Sequence, residues 1–219
     1  MKDSRDDILG RIRNRLGRTA ENATSGRAGI EACLERREQG PRPQVESDLV
    51  ARFRARSEAL SSTFEIVARL DEAPAAVARY LAAQSLPRAA VAWPQIAGLD
   101  WTGAGLRVEG RAARGDDLVG ITGVFCAVAE TGTLVLLSGR DTPATASLLP
   151  ETHIALVPAS RILRGMEEAW ALIRQETGEL PQAVNFISGP SRTGDIEQTL
   201  VLGAHGPYRV HILILTADA

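Results

Sequence analysis

The sequence has few of the side chains that bind metals or carry redox chemistry. Its 219 residues include two cysteines and three histidines. Cys33 and Cys126 lie far apart in unlike contexts, so they form neither a CxxC redox pair nor a four-thiolate cluster site. The spacing of His153, His205 and His211 matches neither HxxxH nor HExxH. We therefore expect no metal site and no iron–sulfur cluster in this chain.

A strong charge of one sign and long apolar runs are also missing. The formal net charge is -2, and basic and acidic residues are interspersed, so we expect no nucleic acid partner. The longest apolar runs, such as Val124–Ala129, fall far short of the roughly 20 residues of a membrane-spanning helix. Segment 1–17 is charged throughout and contains no apolar signal region. These features predict a cytoplasmic protein without a membrane span.

The N-terminal segment has a helical pattern followed by an irregular one. Four apolar residues predict an amphipathic helix over residues 3–16: Ile8, Leu9, Ile12 and Leu16. Such a helix either packs on the core of its own chain or docks onto another subunit. Residues 17–44 have no helical spacing of apolar residues and are rich in glycine and proline, which predicts a linker arm. We expect residues 1–44 to form this extension and residues 45–219 the compact domain.

From residue 45 onward, helix and strand patterns alternate. Helices are predicted over 46–60, from Pro74 to 84, over 161–175 with Ser160 as the cap, and over 194–202. Strands are predicted over 64–68, 88–92, 106–108, 153–157, 184–188 and 208–215, and 123–137 as two strands joined at Glu130-Thr131-Gly132. This alternation predicts an α/β fold with a mostly parallel sheet covered by helices.

The most distinctive segment is SGPSRTGDIEQTLVLGAHG at 188–206. A glycine- and serine-rich turn from a strand into a helix presents backbone N–H groups to an anion, and the carboxyl edge of an open sheet is where ligands bind. The alternative is that Ser191 or Thr193 merely caps the predicted helix. Asp195 and Glu197 would repel a dense anion, so a monocarboxylate fits better than a polyphosphate. The predicted ligand contacts are Ser188, Gly189, Ser191, Arg192 as a clamp, and Thr193.

Two further side chains are candidates for catalysis. Glu130 follows an apolar run, so its carboxylate is predicted at the mouth of the sheet as base, nucleophile or ligand acceptor, with Thr131, Gly132 and Thr133 as ligand contacts. The alternative is a hairpin turn in which the glycine takes a positive φ. His205 lies in a glycine-flanked loop, where an exposed imidazole can exchange protons or have only a structural role.

Three segments together resemble a known family: AETGTLVLLS at 129–138, HIALVP at 153–158 and SGPSRTGDIEQTLVLGAHGP at 188–207. They resemble the lactate utilization protein C family, whose shared unit is the LUD domain. The resemblance implies a fold similar to the sugar-phosphate isomerase and CoA-transferase superfamily. It also implies a three-protein system that oxidises L-lactate to pyruvate, with a cysteine-rich protein and an iron–sulfur protein as partners. The cluster is then expected in a partner chain and no cofactor in this one.

Three functions remain open at this point. In the first, the chain is a non-redox subunit that uses the 188–194 loop, Glu130 and His205 to hold a small carboxylate or to meet a partner. In the second, it is an independent enzyme of CoA-transferase or isomerase type, because CoA transferases of similar fold place a glutamate nucleophile where Glu130 lies. In the third, it is a pure interaction subunit that docks through its N-terminal helix.

Overall fold

The N-terminal unit of the chain consists of two helices. The computed structural model describes residues 4–196 and 199–217, and the chain divides into the compact units Met1–Arg42 and Pro43–Ala219. Helix α1 spans Ser4–Arg15, which confirms the predicted helix except at its two ends: Leu16 lies in the following turn, and Asp3 is outside the described residues. No residue of α1 is buried, and Ile8 and Ile12 are each about half exposed.

The second helix corrects the predicted linker. Helix α2 spans Ala20–Arg36, within the segment predicted to be irregular. Thr19 and Asn22 form a capping box, in which the Thr19 hydroxyl accepts from the Asn22 N–H and the Asn22 side chain accepts from the Thr19 N–H. Arg37 ends the helix with a left-handed φ of 46°. The linker prediction gave too much weight to the glycines, which an exposed helix tolerates at a cost of about 1 kcal/mol each.

The second unit contains four helices and twelve strands among the described residues. The helices are α3 (Leu49–Ala59), α4 (Ala73–Ala83), α5 (Thr145–Leu148) and α6 (Met166–Thr177). The first six strands are β1 (Thr63–Val67), β2 (Ala89–Ala92), β3 (Arg107–Gly110), β4 (Val119–Thr122), β5 (Cys126–Val128) and β6 (Thr133–Leu137). The others are β7 (Thr152–Pro158), β8 (Ile162–Leu163), β9 (Val184–Ile187), β10 (Arg192–Ile196), β11 (Thr199–Leu202) and β12 (Arg209–Leu215).

Six of these strands form the main sheet in the order β1-β12-β7-β4-β2-β3, and every neighbouring pair is parallel. This confirms the predicted α/β fold with a mostly parallel sheet. Strand β4 was not predicted, because its four buried residues are too short a run to show a period of two. None of the described helices combines the length and apolar content needed to cross a membrane.

A second sheet has the order β8-β5-β6-β9. Strands β5 and β6 pair antiparallel, which confirms the predicted hairpin around Glu130-Thr131-Gly132. The helix predicted over 161–175 is displaced because Ile162 and Leu163 are taken up as β8, beside β5. Helix α6 therefore begins after Gly165, where Glu168 accepts from the Gly165 N–H, and the prediction that Ser160 caps the helix is wrong.

The helix predicted over 194–202 is also wrong. Strands β10 and β11 pair antiparallel instead, with Arg192 opposite Leu202 and Thr193 opposite Val201. The segment is rich in β-branched residues, which favour a strand over a helix. Glu197 lies outside the described residues. Ser188–Gly206 is consequently a strand-to-hairpin connection, and the predicted helix N-terminus for an anion is not present in the described part of this segment.

Three apolar clusters hold the layers of this unit together. Helix α4 packs through Val77 and Leu81 on one face of the main sheet. On the other face, helix α3 and the second sheet meet the main sheet around Phe53, Leu134 and Ile212. Helix α6 covers the far side of the second sheet. The second sheet is therefore buried between the main sheet and α6.

Two histidines belong to this core. His153 is fully buried and its Nε2 lies 2.8 Å from the Thr122 hydroxyl. His211 stacks on Tyr80 with ring centroids 3.8 Å apart, and its Nδ1 lies 2.9 Å from the Thr63 hydroxyl. His211 is thus a hydrogen-bonded residue of the core. Burial lowers the pKa of each imidazole to about 4 because the cation loses its hydration.

We predict that stability falls between pH 7 and pH 5.5. The unfolded chain protonates these histidines near pH 6.5, whereas the folded chain keeps His153 and His211 neutral until about pH 4. The free energy of unfolding, measured by urea denaturation, should fall by about 1 kcal/mol per histidine over this interval. His211→Gln should reduce the loss and His205→Gln, at an exposed site, should not. Imidazole NMR titrations with pKa values near 6.5 for the two core histidines would contradict this account.

Candidate functional site

The turn that contains Glu130 is fixed from two sides. The backbone N–H groups of Ala129 and Glu130 donate to the carbonyl oxygens of Leu163 and Arg164, at 2.8 and 3.0 Å. From helix α3, Arg56 Nε donates to the Glu130 carbonyl oxygen at 3.2 Å. The turn is therefore held rigidly between α3 and the strand β8.

Gly132 allows helix α3 to come unusually close to this turn. Its φ is 69°, and a Cβ at this position would lie 2.7 Å from the Ser57 backbone nitrogen. The buried Ser57 hydroxyl donates toward both the Phe53 and the Gly132 carbonyl oxygens, at 2.9 and 3.2 Å. Gly132 is thus required for packing, and the hairpin-turn interpretation of this residue is correct in its geometry.

Three predicted ligand contacts form a chain of hydroxyl groups. Thr131 Oγ1 lies 2.7 Å from Thr133 Oγ1, which lies 2.7 Å from Ser188 Oγ. Thr131 is half-buried, Thr133 is buried and Ser188 is exposed, so the chain reaches the surface at Ser188. Because each hydroxyl both donates and accepts, the chain can pass a hydrogen bond to a group outside it. The structure brings these three residues together and leaves their ligand-binding role a prediction.

The Glu130 carboxylate lies in an acidic environment. Its Oε2 lies 3.0 Å from the point where a Cβ on Gly165 would be, and carboxylate oxygens of Glu168 and Glu167 lie 3.0 and 3.4 Å from that same point. The N-terminus of α6 stabilises this negative charge. The negative charges of these side chains nevertheless disfavour an anionic ligand beside Gly165. The Glu130 side of the turn is therefore a poor site for a free carboxylate.

The 188–193 loop is used largely for internal packing. Gly189, with a φ of 80°, lies against the Leu60 carbonyl group, and Arg192 Nη2 donates to the Leu60 oxygen and to the Ser61 hydroxyl at 2.8 Å each. The Ser191 N–H donates to the Pro207 oxygen at 2.9 Å. The predicted clamp Arg192 is thus already occupied by this chain, although its guanidinium keeps further N–H groups.

This loop was predicted at the carboxyl edge of the main sheet, but it lies at the amino edge. Leu60 and Ser61 lead into β1, and Pro207 leads into β12, so the contacts of the loop are with segments that precede two parallel strands. The loop therefore sits at the amino edge of the main sheet. The prediction of a carboxyl-edge position was wrong because β9, which precedes the loop, belongs to the second sheet.

His205 is placed on the surface by the same connection. It is exposed in the loop between β11 and β12, and its neighbour Gly206 lies against Ser191. Among the described residues its imidazole makes no hydrogen bond with Glu130. The two predicted catalytic residues are thus joined by no direct contact, and their catalytic roles stay predictions.

A pocket that the sequence did not predict lies at the carboxyl edge of the main sheet. It has a volume of about 220 Å³, and its walls include Trp93, Gln95, Phe125, Thr142 and Arg161. Trp93 directly follows β2, Phe125 follows β4, and Arg161 follows β7 within a short 3-10 helix. The signal that could have found these residues is their position just after parallel strands.

The thiols show no arrangement for a metal. Cys33 is exposed, and Cys126 is fully buried in β5, where burial raises the pKa of its thiol to about 12. Within residues 4–196 and 199–217, no three histidine, cysteine or acidic side chains are grouped so that they could hold a metal ion. Cys126 is accordingly a small buried apolar residue of the second sheet, as expected.

The architecture defines an α/β protein with a six-stranded parallel sheet and a smaller mixed sheet packed on it. The family model of the LUD domain matches residues 95–215, more than half of the chain. The chain therefore belongs to the LUD-domain family. The match begins at residue 95, so a domain start at residue 45 stays a prediction.

Several curated proteins are similar to part of the chain. "Lactate utilization protein C" from Anoxybacillus flavithermus is 43% identical over 98 residues, 45% of this chain and 44% of that protein. The protein of the same name from Bacillus subtilis is 43% identical over 101 residues, 45% of this chain and 42% of that one. The match thus spans about half the length of these relatives. A crystal structure of a DUF162 family protein from Deinococcus radiodurans has the same fold, with a TM-score of 0.59 at 23% identity, covering 80% of this chain and all of that one.

We predict that Gly132→Ala destabilises the protein by about 3 kcal/mol, because the methyl group adds a clash with Ser57 to an unfavourable φ. Gly178→Ala is the matched control. Its φ is also 69°, with a ψ of −61°, and nothing lies within 4 Å of the added Cβ, so the control should cost only its backbone strain, about 1–2 kcal/mol. Chemical denaturation of both variants gives the difference, and equal losses would show that the approach of α3 does not depend on Gly132.

The hydroxyl chain makes a separate prediction. Thr133→Val should destabilise the fold by about 1 kcal/mol, since it removes the central hydroxyl group of the chain. In a double-mutant cycle with Ser188→Ala, the two losses should be non-additive by at least about 0.5 kcal/mol. Thr133→Ser, which keeps the hydroxyl, should retain this coupling. Additive losses in the cycle would mean that Thr133 and Ser188 do not interact in solution.

Proposed function

We propose that this protein acts in lactate utilization, as a non-redox component of an iron–sulfur-dependent system that oxidises L-lactate to pyruvate. The observation that carries the proposal is the similarity of about 40% identity to proteins named "Lactate utilization protein C". The aligned parts cover about half of this chain and about half of those proteins, so the role is transferred on the similarity of a part of the chain.

The cysteine content supports a role without a resident cluster. An iron–sulfur cluster needs several thiolates in one place, and this chain has two, one of them buried as an apolar residue. The proposal therefore assigns the cluster to a partner chain, and names a cysteine-rich protein and an iron–sulfur protein as the partners. Electrons from lactate would then pass through those chains, while this chain handles the substrate or the assembly.

The electrostatics of the Glu130 turn support a partner-facing role for it. Carboxylate oxygens of Glu130, Glu167 and Glu168 all lie near Gly165, and Ser188, the exposed end of the hydroxyl chain, directly follows β9, the strand that pairs with β6. Such a surface attracts cationic side chains and offers hydroxyl groups for hydrogen bonds across an interface. Within the proposal, the small carboxylate binds elsewhere on the chain and this turn meets a protein partner.

Deletion of the gene in its own organism tests the proposal. Growth on L-lactate as sole carbon source should be lost, growth on pyruvate should be unaffected, and the intact gene should restore growth. Glu130→Gln removes one charge and keeps the shape, so it should weaken co-purification of the partners and slow growth on lactate. Undiminished growth of the deletion strain on lactate would refute the proposed function.

A further inference from the structure

We propose that the pocket at the carboxyl edge of the main sheet binds a small 2-hydroxy monocarboxylate. Its volume of about 220 Å³ accommodates a metabolite of a few heavy atoms and is too small for a nucleotide. It lies beyond the ends of β2, β4 and β7, three strands that are neighbours in the sheet. Open α/β sheets bind their ligands at this edge.

Arg161 supplies the positive charge of the pocket. Its Nε donates to the Phe125 carbonyl oxygen at 2.8 Å, and its two Nη atoms donate to Glu176, also at 2.8 Å each. A guanidinium has five N–H groups, so two remain after these three bonds. The side chain keeps 32% of its exposure. Arg161 is thus held in one orientation with two N–H groups left for a carboxylate. Its ion pair with Glu176 offsets its charge, which disfavours a ligand with more than one negative charge.

The neutral polar groups define the rest of the ligand. The Thr142 hydroxyl gives its proton to the Leu137 carbonyl oxygen at 2.8 Å, so toward a ligand it can only accept. Gln95 is exposed at the pocket and brings an amide that can donate. A carboxylate satisfies Arg161 and Gln95, and a ligand hydroxyl satisfies Thr142. A hydroxy acid meets all three, whereas a keto acid has no proton for Thr142.

The aromatic residues form the apolar part of the pocket. The Trp93 indole N–H is already used by the Pro143 carbonyl oxygen at 3.1 Å, and Phe125 lies under the Arg161 guanidinium at 4.9 Å. Both rings therefore contribute apolar surface, which suits a short alkyl group such as a methyl. The polar and aromatic groups of the pocket are the reason for proposing a hydroxy acid as the ligand. The identification of this acid as L-lactate rests on the proposed function.

Titration of the purified full chain with L-lactate, pyruvate and propionate tests this inference. NMR spectra of the ¹⁵N-labelled protein should show saturable shifts at the amides of Trp93, Gln95, Phe125 and Arg161, with a dissociation constant on the order of 1 mM for L-lactate. Pyruvate and propionate lack the hydroxyl proton and should bind at least about fivefold more weakly. No saturable shift with L-lactate would overturn the inference, and this binding result is independent of whether the deletion strain grows on lactate.

Variants distinguish the pocket from other binding sites. Arg161→Lys keeps the charge and loses the guanidinium geometry, so it should weaken L-lactate binding at least about tenfold, while Arg174→Lys, an exposed control on α6, should not. Thr142→Val should bring L-lactate affinity down to that of propionate and leave propionate unchanged. Unaltered binding in both pocket variants, or shifts centred on residues 188–192, would overturn the assignment to this pocket.

Discussion

The close approach of helix α3 to the 130–132 turn is the constraint on which the rest of the second unit depends. Helix α3 also packs on β1 through the edge-to-face pair of Phe53 and Phe64, with centroids 6.0 Å apart. It therefore joins the main sheet to the second sheet. The approach is possible because Gly132 has no side chain and the buried Ser57 hydroxyl satisfies a carbonyl of the turn. This contact sets where the Glu130 turn and the hydroxyl chain lie.

The two edges of the main sheet have different chemistry. The amino edge carries the 188–193 loop, whose Arg192 is bonded to the chain's own Leu60 and Ser61. The carboxyl edge carries a small pocket with a guanidinium, two aromatic rings and neutral polar groups. In the function proposed above, the Glu130 turn meets a protein partner and the carboxyl-edge pocket binds a small acid, so the two proposed roles use separate surfaces. The acidic Glu130 turn strengthens this separation because it repels a free anion.

The sequence predicted the parallel sheet well because its strands are short apolar runs bounded by clear turn residues. It also predicted the β5–β6 hairpin, since Gly132 marks a position that requires a positive φ. It failed over 194–202, where residues spaced as in a helix pair as β10 and β11. Strand pairing depends on partners distant in sequence, and no local period reports them.

The site shows the same limit. Thr131, Thr133 and Ser188 were each predicted as ligand contacts and do come together, although the hydrogen-bonded pair Thr133 and Ser188 is 55 residues apart in the sequence. The pocket was missed because its residues come from separate loops and none forms a motif. The strand order decides which strand ends lie next to each other. The short strand β4 lies between β2 and β7 at the carboxyl edge, and the sequence did not predict it.

The central claim is that the small acid binds at the opposite edge of the main sheet from the 188–193 loop. A crystal structure of the protein soaked with L-lactate tests this claim most directly. The account predicts lactate density in the carboxyl-edge pocket, with the carboxylate at Arg161 and the hydroxyl at Thr142. Lactate bound instead at Ser188–Arg192, beside Glu130, would contradict it.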